Sequence, residues 1–153
     1  MKELIIMNKL KEYSMYQFLR VHDYVFAPFR HILSNDFRSN ELINWFFNEK
    51  RTITGNEYVD IHKENNKIVF YDISDSMCEE YSEPDLNPDL RFEMSRENFI
   101  DLLYHWEELR VSLPDTILIV IHEDNYVTLE TDPVIIKQYQ DAGYAFDIDT
   151  KVQ

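Results

Sequence analysis

Apolar positions change their spacing along this chain, and the changes predict which segments are helices and which are strands. Over residues 95–110 they recur at helical intervals, at Phe99, Leu102, Leu103, Trp106 and Leu109. Ser95 precedes this stripe as an N-cap, and Glu97 lies in the first turn, where the helix dipole favours a carboxylate. The pattern predicts a helix over residues 95–110 with one buried face.

Other stretches also carry a helical pattern. Over residues 39–50, Ser39 serves as N-cap, and the predicted apolar face consists of Leu42, Ile43, Phe46 and Phe47, with Trp45 on its shoulder. Residues 13–22 have apolar side chains at helical spacing, and Pro28 can open a short helix through Ile32 and Leu33. Residues 134–142 form a last helix that ends at Gly143.

Alternating apolar and polar positions predict strands in two hairpins. Residues 58–63 and 67–73 are joined by a tight turn at 64–66, and residues 116–122 and 126–130 are joined at 123–125. A short strand is expected over residues 91–94, and Gly55-Asn56 marks a turn. Hairpins imply antiparallel pairing, and the helix between strands must cover a sheet face. The predicted fold is α+β, an antiparallel sheet built from hairpins with helices packed on it.

Length and composition are consistent with one packed domain. The chain has 153 residues, of which 44% are hydrophobic and 14% aromatic. This is an ordinary size for a domain, and no repeat or Gly/Ser-rich linker divides the sequence. We therefore predict a single domain over residues 1–153.

The net charge of −14 changes the functional picture. An acidic surface repels phosphate backbones and anionic lipids, so we expect no nucleic-acid or membrane binding and favour a cationic protein partner. The same charge could serve solubility alone. The single cysteine, Cys78, excludes an internal disulfide, and the N-terminal apolar run is too short for a signal peptide. We expect a cytoplasmic protein.

The sequence lacks the common catalytic motifs. Gly55 and Gly143, the two glycines, are too far apart for a phosphate-binding loop, and neither G-x-S-x-G nor H-E-x-x-H occurs. Cys78 lies beside two glutamates, whose charges oppose thiolate formation. We predict no enzyme activity, cofactor or metal. A small hydrolase is the less favoured alternative, and it requires His62 and His122 to converge with an acid in a cleft.

Residues 72–93, DISDSMCEEYSEPDLNPDLRFE, contain eight acidic residues and one basic residue, which gives half of the chain's net charge. This segment could be a solvated connector. However, connectors longer than about 12–15 residues are often functional, and its aromatic and apolar residues among acids suit a protein-binding surface. We predict that it binds the partner through Asp75, Glu79, Glu80, Tyr81, Glu83 and Asp85. The acids of the second hairpin turn, Glu123 and Asp124, are secondary candidates.

Residues 92–130 run FEMSRENFIDLLYHWEELR and then LPDTILIVIHEDNYVTLE. This order of strand, capped helix, strand, acidic turn and strand resembles segments of small acidic immunity proteins from bacterial contact-dependent growth inhibition and other polymorphic toxin systems. The resemblance implies a non-enzymatic protein that binds and neutralises a cognate toxin domain, often a basic nuclease. The alternative is an adaptor or scaffold that binds another cationic protein.

Overall fold

The computed structural model of the chain describes residues 3–9, 16–20, 39–56, 59–73, 91–112 and 114–143. Within these ranges the chain forms eight strands and three helices. In chain order they are β1 (Glu3–Lys9), β2 (Tyr16–Arg20), α1 (Ser39–Phe47), β3 (Ile53–Gly55), β4 (Val59–Glu64), β5 (Lys67–Asp72), β6 (Arg91–Ser95), α2 (Arg96–Ser112), β7 (Thr116–Ile121), β8 (Val127–Glu130) and α3 (Pro133–Asp141).

The chain divides into two compact units. Unit 1 combines Met1–Tyr24 with His105–Gln153, and unit 2 is the continuous stretch Val25–Tyr104, so α2 contributes residues to both. Each unit contains a four-stranded antiparallel sheet. The predicted fold class, α+β with antiparallel hairpins and packed helices, is confirmed. The assignment of residues 1–153 to one domain stays a prediction.

In unit 1 the strand order is β2-β1-β7-β8. β7 lies between β1 and β8, and all its residues from Ile117 to Ile121 are buried. One face of this sheet has a core of Leu4, Ile6, Leu118 and Val120, and Ile136 and Tyr139 of α3 pack against it. The continuous apolar run in β7 thus follows from a strand that is buried on both of its faces.

In unit 2 the strand order is β3-β4-β5-β6, each strand antiparallel to the next. Phe99 of α2 joins the helices to the apolar face of this sheet. Its ring centroid lies 5.9 Å from that of Phe70 on β5 and 6.1 Å from that of Trp45 on α1. These aromatic contacts hold both helices against one face.

A lysine on β4 fixes the C-terminal end of α1. Lys63 Nζ donates hydrogen bonds to the carbonyl oxygens of Trp45 (2.6 Å), Asn48 (2.8 Å) and Arg51 (2.9 Å). It also lies 4.5 Å from the centroid of the Trp45 ring. Trp45 O and Asn48 O also accept hydrogen bonds from Asn48 N and Arg51 N, so the ammonium is a second donor to both. Its positive charge complements the dipole at the C-terminal end of α1.

Most local predictions are confirmed. Both hairpins form, α2 begins directly after Ser95, and the Ser95 hydroxyl accepts a hydrogen bond from Asn98 N at 3.0 Å. The strand predicted at 91–94 is β6. The predicted helix at 134–142 is α3, and Gly143 follows it with φ of 95°.

The N-terminal prediction is wrong. Residues 16–20 are not part of a helix over 13–22 but form strand β2, which pairs with β1. A pairing partner is available in β1, and five residues are too few for spacing alone to separate a helix from a strand. The helix predicted after Pro28 lies outside the described residues.

The face of α1 also differs from the prediction. Trp45, expected on the shoulder, is buried, whereas Phe47 is 61% exposed. Ser39 is the first helical residue and not the N-cap, and its buried hydroxyl has no hydrogen-bond partner within the described residues. The packing of Trp45 against Phe99 sets the rotation of this helix, and the spacing within α1 contains no information about that contact.

Candidate functional site

The predicted partner-binding residues divide into two groups. Asp75, Glu79, Glu80, Tyr81, Glu83 and Asp85 lie outside the described residues. Glu123 and Asp124 lie in the turn between β7 and β8, and both are exposed. We call residues 122–126 the acidic turn.

Backbone hydrogen bonds give the acidic turn a defined shape. His122 N donates to Tyr126 O at 2.8 Å, and Asn125 N donates to His122 O at 2.9 Å. Asn125 has a left-handed φ of 65°, which asparagine tolerates better than most residues. Asp124 Oδ1 accepts a hydrogen bond from Tyr126 N at 3.1 Å, so this carboxylate also stabilises the turn. The acids are therefore held by a preformed hairpin.

Two further side chains of this turn were not among the predicted site residues. Tyr126 is 42% exposed, and its ring centroid lies 6.3 Å from that of His122. His122 is also exposed, and its Nε2 is 3.1 Å from Thr128 Oγ1. Tyr126 directly follows the predicted turn at 123–125, and the sequence pattern predicts it as the first residue of a strand, whereas it precedes β8 and is exposed.

Other carboxylates near the acidic turn shape the chain locally. Glu130 Oε1 accepts hydrogen bonds from Thr131 N and Asp132 N, and Asp132 Oδ1 accepts one from Val134 N at 2.9 Å. Asp132 is therefore the N-cap of α3, and Pro133 occupies the first position. Unit 1 also exposes Glu108, Asp115 and Asp141, which lie outside the acidic turn.

Unit 2 contains a polar cluster on the sheet face opposite Phe70. Glu93 Oε1 accepts a hydrogen bond from Lys67 Nζ at 2.8 Å, and Glu93 Oε2 accepts one from Arg91. These two hydrogen bonds hold the pKa of Glu93 below its ordinary value. The same contact with Glu93 raises the pKa of Arg91.

Tyr71 lies beside this cluster. Burial, together with a 2.8 Å hydrogen bond that its hydroxyl donates to Glu64, raises its pKa. A cavity of about 420 Å³ borders the cluster and is lined by Glu64, Asn65, Asn66, Lys67, Val69, Arg91 and Glu93. Lys67 and Arg91 both contact Glu93, so the cluster is a network of internal ion pairs.

The two histidines of the hydrolase alternative lie in different units. His62 belongs to unit 2, where its ring centroid is 4.9 Å from that of Tyr71 and its Nε2 is 4.0 Å from Asp60 Oδ2. His122 belongs to unit 1 and contacts Thr128 and Tyr126. No group of three metal-ligating side chains occurs within the described ranges. Each histidine thus has neighbours within its own unit, and the absence of enzyme activity stays a prediction.

Comparison with known proteins yields no match to a family model, to a curated protein or to a solved structure. None of the helices in the described part of the chain is long and apolar enough to cross a membrane. The fold is that of an α+β protein, and the acidic turn is the predicted site that lies within the described residues.

Proposed function

We propose that this chain binds a cationic protein, and that it acts as an immunity protein that neutralises a basic toxin domain. The observation that carries the proposal is the acidic turn, where the exposed Glu123 and Asp124 shortly precede the exposed Tyr126 on a hairpin of fixed shape. The net charge of −14 supports a cationic partner. The predicted contacts in residues 75–85 belong to the same proposal as a second contact region.

The residues of the acidic turn have complementary roles in such an interface. Carboxylates attract a basic partner over a distance and disfavour acidic ones, which raises the association rate. Tyrosine is enriched among the residues that contribute most to binding, because its ring buries apolar area and its hydroxyl forms a hydrogen bond. Because the turn is preformed, little conformational entropy is lost when it binds.

The test is co-expression of the chain with the product of the neighbouring gene, followed by co-purification and a growth-rescue assay. The first variant combines Glu123→Lys with Asp124→Asn, which keeps the acceptor that fixes the turn. Its control combines Glu108→Lys with Asp141→Asn, an equal change in charge at exposed positions of the same unit. We expect the first variant to bind more weakly and to rescue growth less well than the control. Equal binding by both variants would contradict the proposed role of the turn.

A second pair of variants tests the aromatic anchor. Tyr126→Ala should weaken binding by about 2 kcal/mol, since a central interface tyrosine typically contributes that much. Tyr104→Ala is the matched control, because Tyr104 is 49% exposed on α2 in unit 2. An equal loss of affinity in both variants would exclude Tyr126 as the anchor. Co-purification with a cationic protein that is not a toxin would favour the adaptor alternative.

A further inference from the structure

β3 lies at the edge of the sheet in unit 2. The strand order is β3-β4-β5-β6, and β4 is the strand that pairs with β3 in the described ladders. The edge is also accessible, because Ile53 is 54% exposed and both Thr52 and Gly55 are exposed. Another polypeptide can therefore reach the outer side of β3.

Hydrogen bonds at both ends of the β3–β4 ladder show which residues of β3 direct their backbone groups toward β4. Lys63 N donates to Thr52 O at 2.8 Å, and Asn56 N donates to Val59 O at 3.0 Å. In an antiparallel pair, residues that exchange hydrogen bonds alternate with residues that do not. Thr52 and Asn56 thus direct their backbone groups toward β4, and so does Thr54, which lies midway between them. The residues in between, Ile53 and Gly55, direct theirs away from β4.

Ile53 and Gly55 are the residues with the opposite orientation. Their N–H and C=O groups point away from β4, whereas the backbone of Thr54 faces β4. Within the described part of the chain these outward groups of Ile53 and Gly55 have no hydrogen-bond partner. β3 thus offers two donors and two acceptors in the spacing that an extended strand requires.

This edge is short but lacks the other features that usually prevent strand addition. Natural edge strands are commonly protected by very short length, by charged side chains, by proline or by a bulge. β3 consists of Ile53, Thr54 and Gly55 and has no charged side chain, proline or bulge. The other edge strand of the same sheet, β6, includes Arg91 and Glu93.

We propose that a second copy of this chain pairs with β3 along this edge, antiparallel and across a two-fold axis that passes beside Thr54. Ile53 of one copy then lies opposite Gly55 of the partner subunit, and the two exchange both backbone hydrogen bonds. By symmetry, Gly55 of the first copy exchanges two hydrogen bonds with Ile53 of the partner subunit. All outward N–H and C=O groups of β3 then have a partner. The sheets of the two copies join into one continuous sheet.

The side chains of β3 suit this self-pairing. Directly opposite residues of an antiparallel pair project to the same face and contact each other. Ile53 faces a glycine of the partner subunit and therefore meets no opposing side chain. The two copies of Thr54 face each other at the central position, and a threonine pair is favourable there. Ile53 and Gly55 lie one residue before and one residue after Thr54, so a two-fold axis beside Thr54 places each outward residue opposite the other.

The expected dimer is weak and depends on salt. A three-residue edge buries less area than a stable interface, so we expect a dissociation constant on the order of 100 µM. Each copy has a net charge of −14, and the resulting repulsion is screened by salt. Self-association should therefore strengthen as salt rises, whereas binding of a cationic partner through the acidic turn should weaken.

Sedimentation velocity of the full chain, over about a hundred-fold range of concentration at low and high salt, tests the proposal. Ile53→Pro removes an outward N–H that the dimer would use. It removes no hydrogen bond to β4, and proline is tolerated in edge strands. Ile53→Lys keeps the N–H and places a charge on the edge. Phe47→Ser, at an exposed apolar position outside β3, is the control. Circular dichroism verifies that each variant is folded.

We expect the wild type and Phe47→Ser to dimerise at high concentration and more strongly at high salt. Folded Ile53→Pro and Ile53→Lys should have at least a ten-fold weaker association. A wild type that stays monomeric over the whole range, or edge variants that dimerise as the wild type does, would overturn the proposal. Neither outcome affects toxin binding through the acidic turn, because the β3 proposal does not depend on that function.

Discussion

At the scale of single residues, Lys63 connects β4 to α1 through hydrogen bonds from a partly buried ammonium. Its ammonium contacts the Trp45 ring, the carbonyl oxygen of Trp45 in α1 and those of Asn48 and Arg51 just after the helix. Burial, followed in effect by the charge of Arg96, lowers its pKa. The hydrogen bonds thus offset a desolvation penalty. This combination makes Lys63 a connection between β4 and α1 that a neutral side chain cannot replace.

We predict that Lys63→Met lowers the free energy of unfolding by about 2 kcal/mol, because the apolar stem is retained but the three hydrogen bonds from the ammonium and its interaction with the helix dipole are lost. Urea denaturation followed by circular dichroism measures this change. Lys50→Met, at an exposed position just after α1, removes the same charge and should alter stability far less. A similar loss in both variants would mean that net charge, and not the contact with α1, is responsible.

Glu93 gives a pH-dependent prediction at the same scale. Its pKa is lowered from 4.5 by hydrogen bonds from Lys67 and then Arg91, so the folded state favours the carboxylate. The resulting stabilisation is present above the unfolded-state pKa and is lost as the pH falls through the folded-state pKa. The difference in unfolding free energy between the wild type and Glu93→Gln should therefore shrink below about pH 4.5. Urea titrations at stepped pH test this, with Glu108→Gln, an exposed glutamate of α2, as the control.

At the scale of elements, the sequence predicts structure best where the determinants are local. α2 was identified from its apolar stripe and from Ser95, and both hairpins from alternation around short polar turns. The sequence does not predict β1, whose partner β7 lies far along the chain. It assigns β2 to a helix, because the short segment Tyr16–Arg20 does not separate a helix from a strand by spacing alone. Tyr126 was missed as a site residue because exposure depends on packing that spacing does not encode.

The two serines expected to cap helices provide a prediction about elements. Ser95 accepts a hydrogen bond from Asn98 N, so Ser95→Ala should lower the unfolding free energy by about 1 kcal/mol. Ser39 is buried inside the first turn of α1, where its hydroxyl has no partner within the described ranges. Ser39→Ala should therefore be neutral or slightly stabilising. Thermal unfolding of the two variants measures the contrast, and a larger loss for Ser39→Ala would show that its hydroxyl contributes to stability.

At the scale of the whole molecule, charge affects the two proposed contacts in opposite directions. The acidic turn lies in unit 1, and Glu123, Asp124 and the chain's negative charge attract a basic partner. β3 lies in unit 2 and has no charged side chain, so the same net charge opposes pairing of two copies. Raising the salt concentration should weaken the first contact and strengthen the second. Parallel measurements on one preparation compare these two responses.

Unit 1 is built from two separate stretches of the chain, and this has a consequence for synthesis on the ribosome. The described strands of unit 2 all lie between Ile53 and Ser95, and neighbours in this sheet follow one another along the chain. β1 ends at Lys9, but β7, which pairs with it, begins only at Thr116. A nascent chain can therefore complete the meander of unit 2 while β1 has only β2 as a neighbour, and the four-stranded sheet of unit 1 forms only after β7 and β8 have been synthesised.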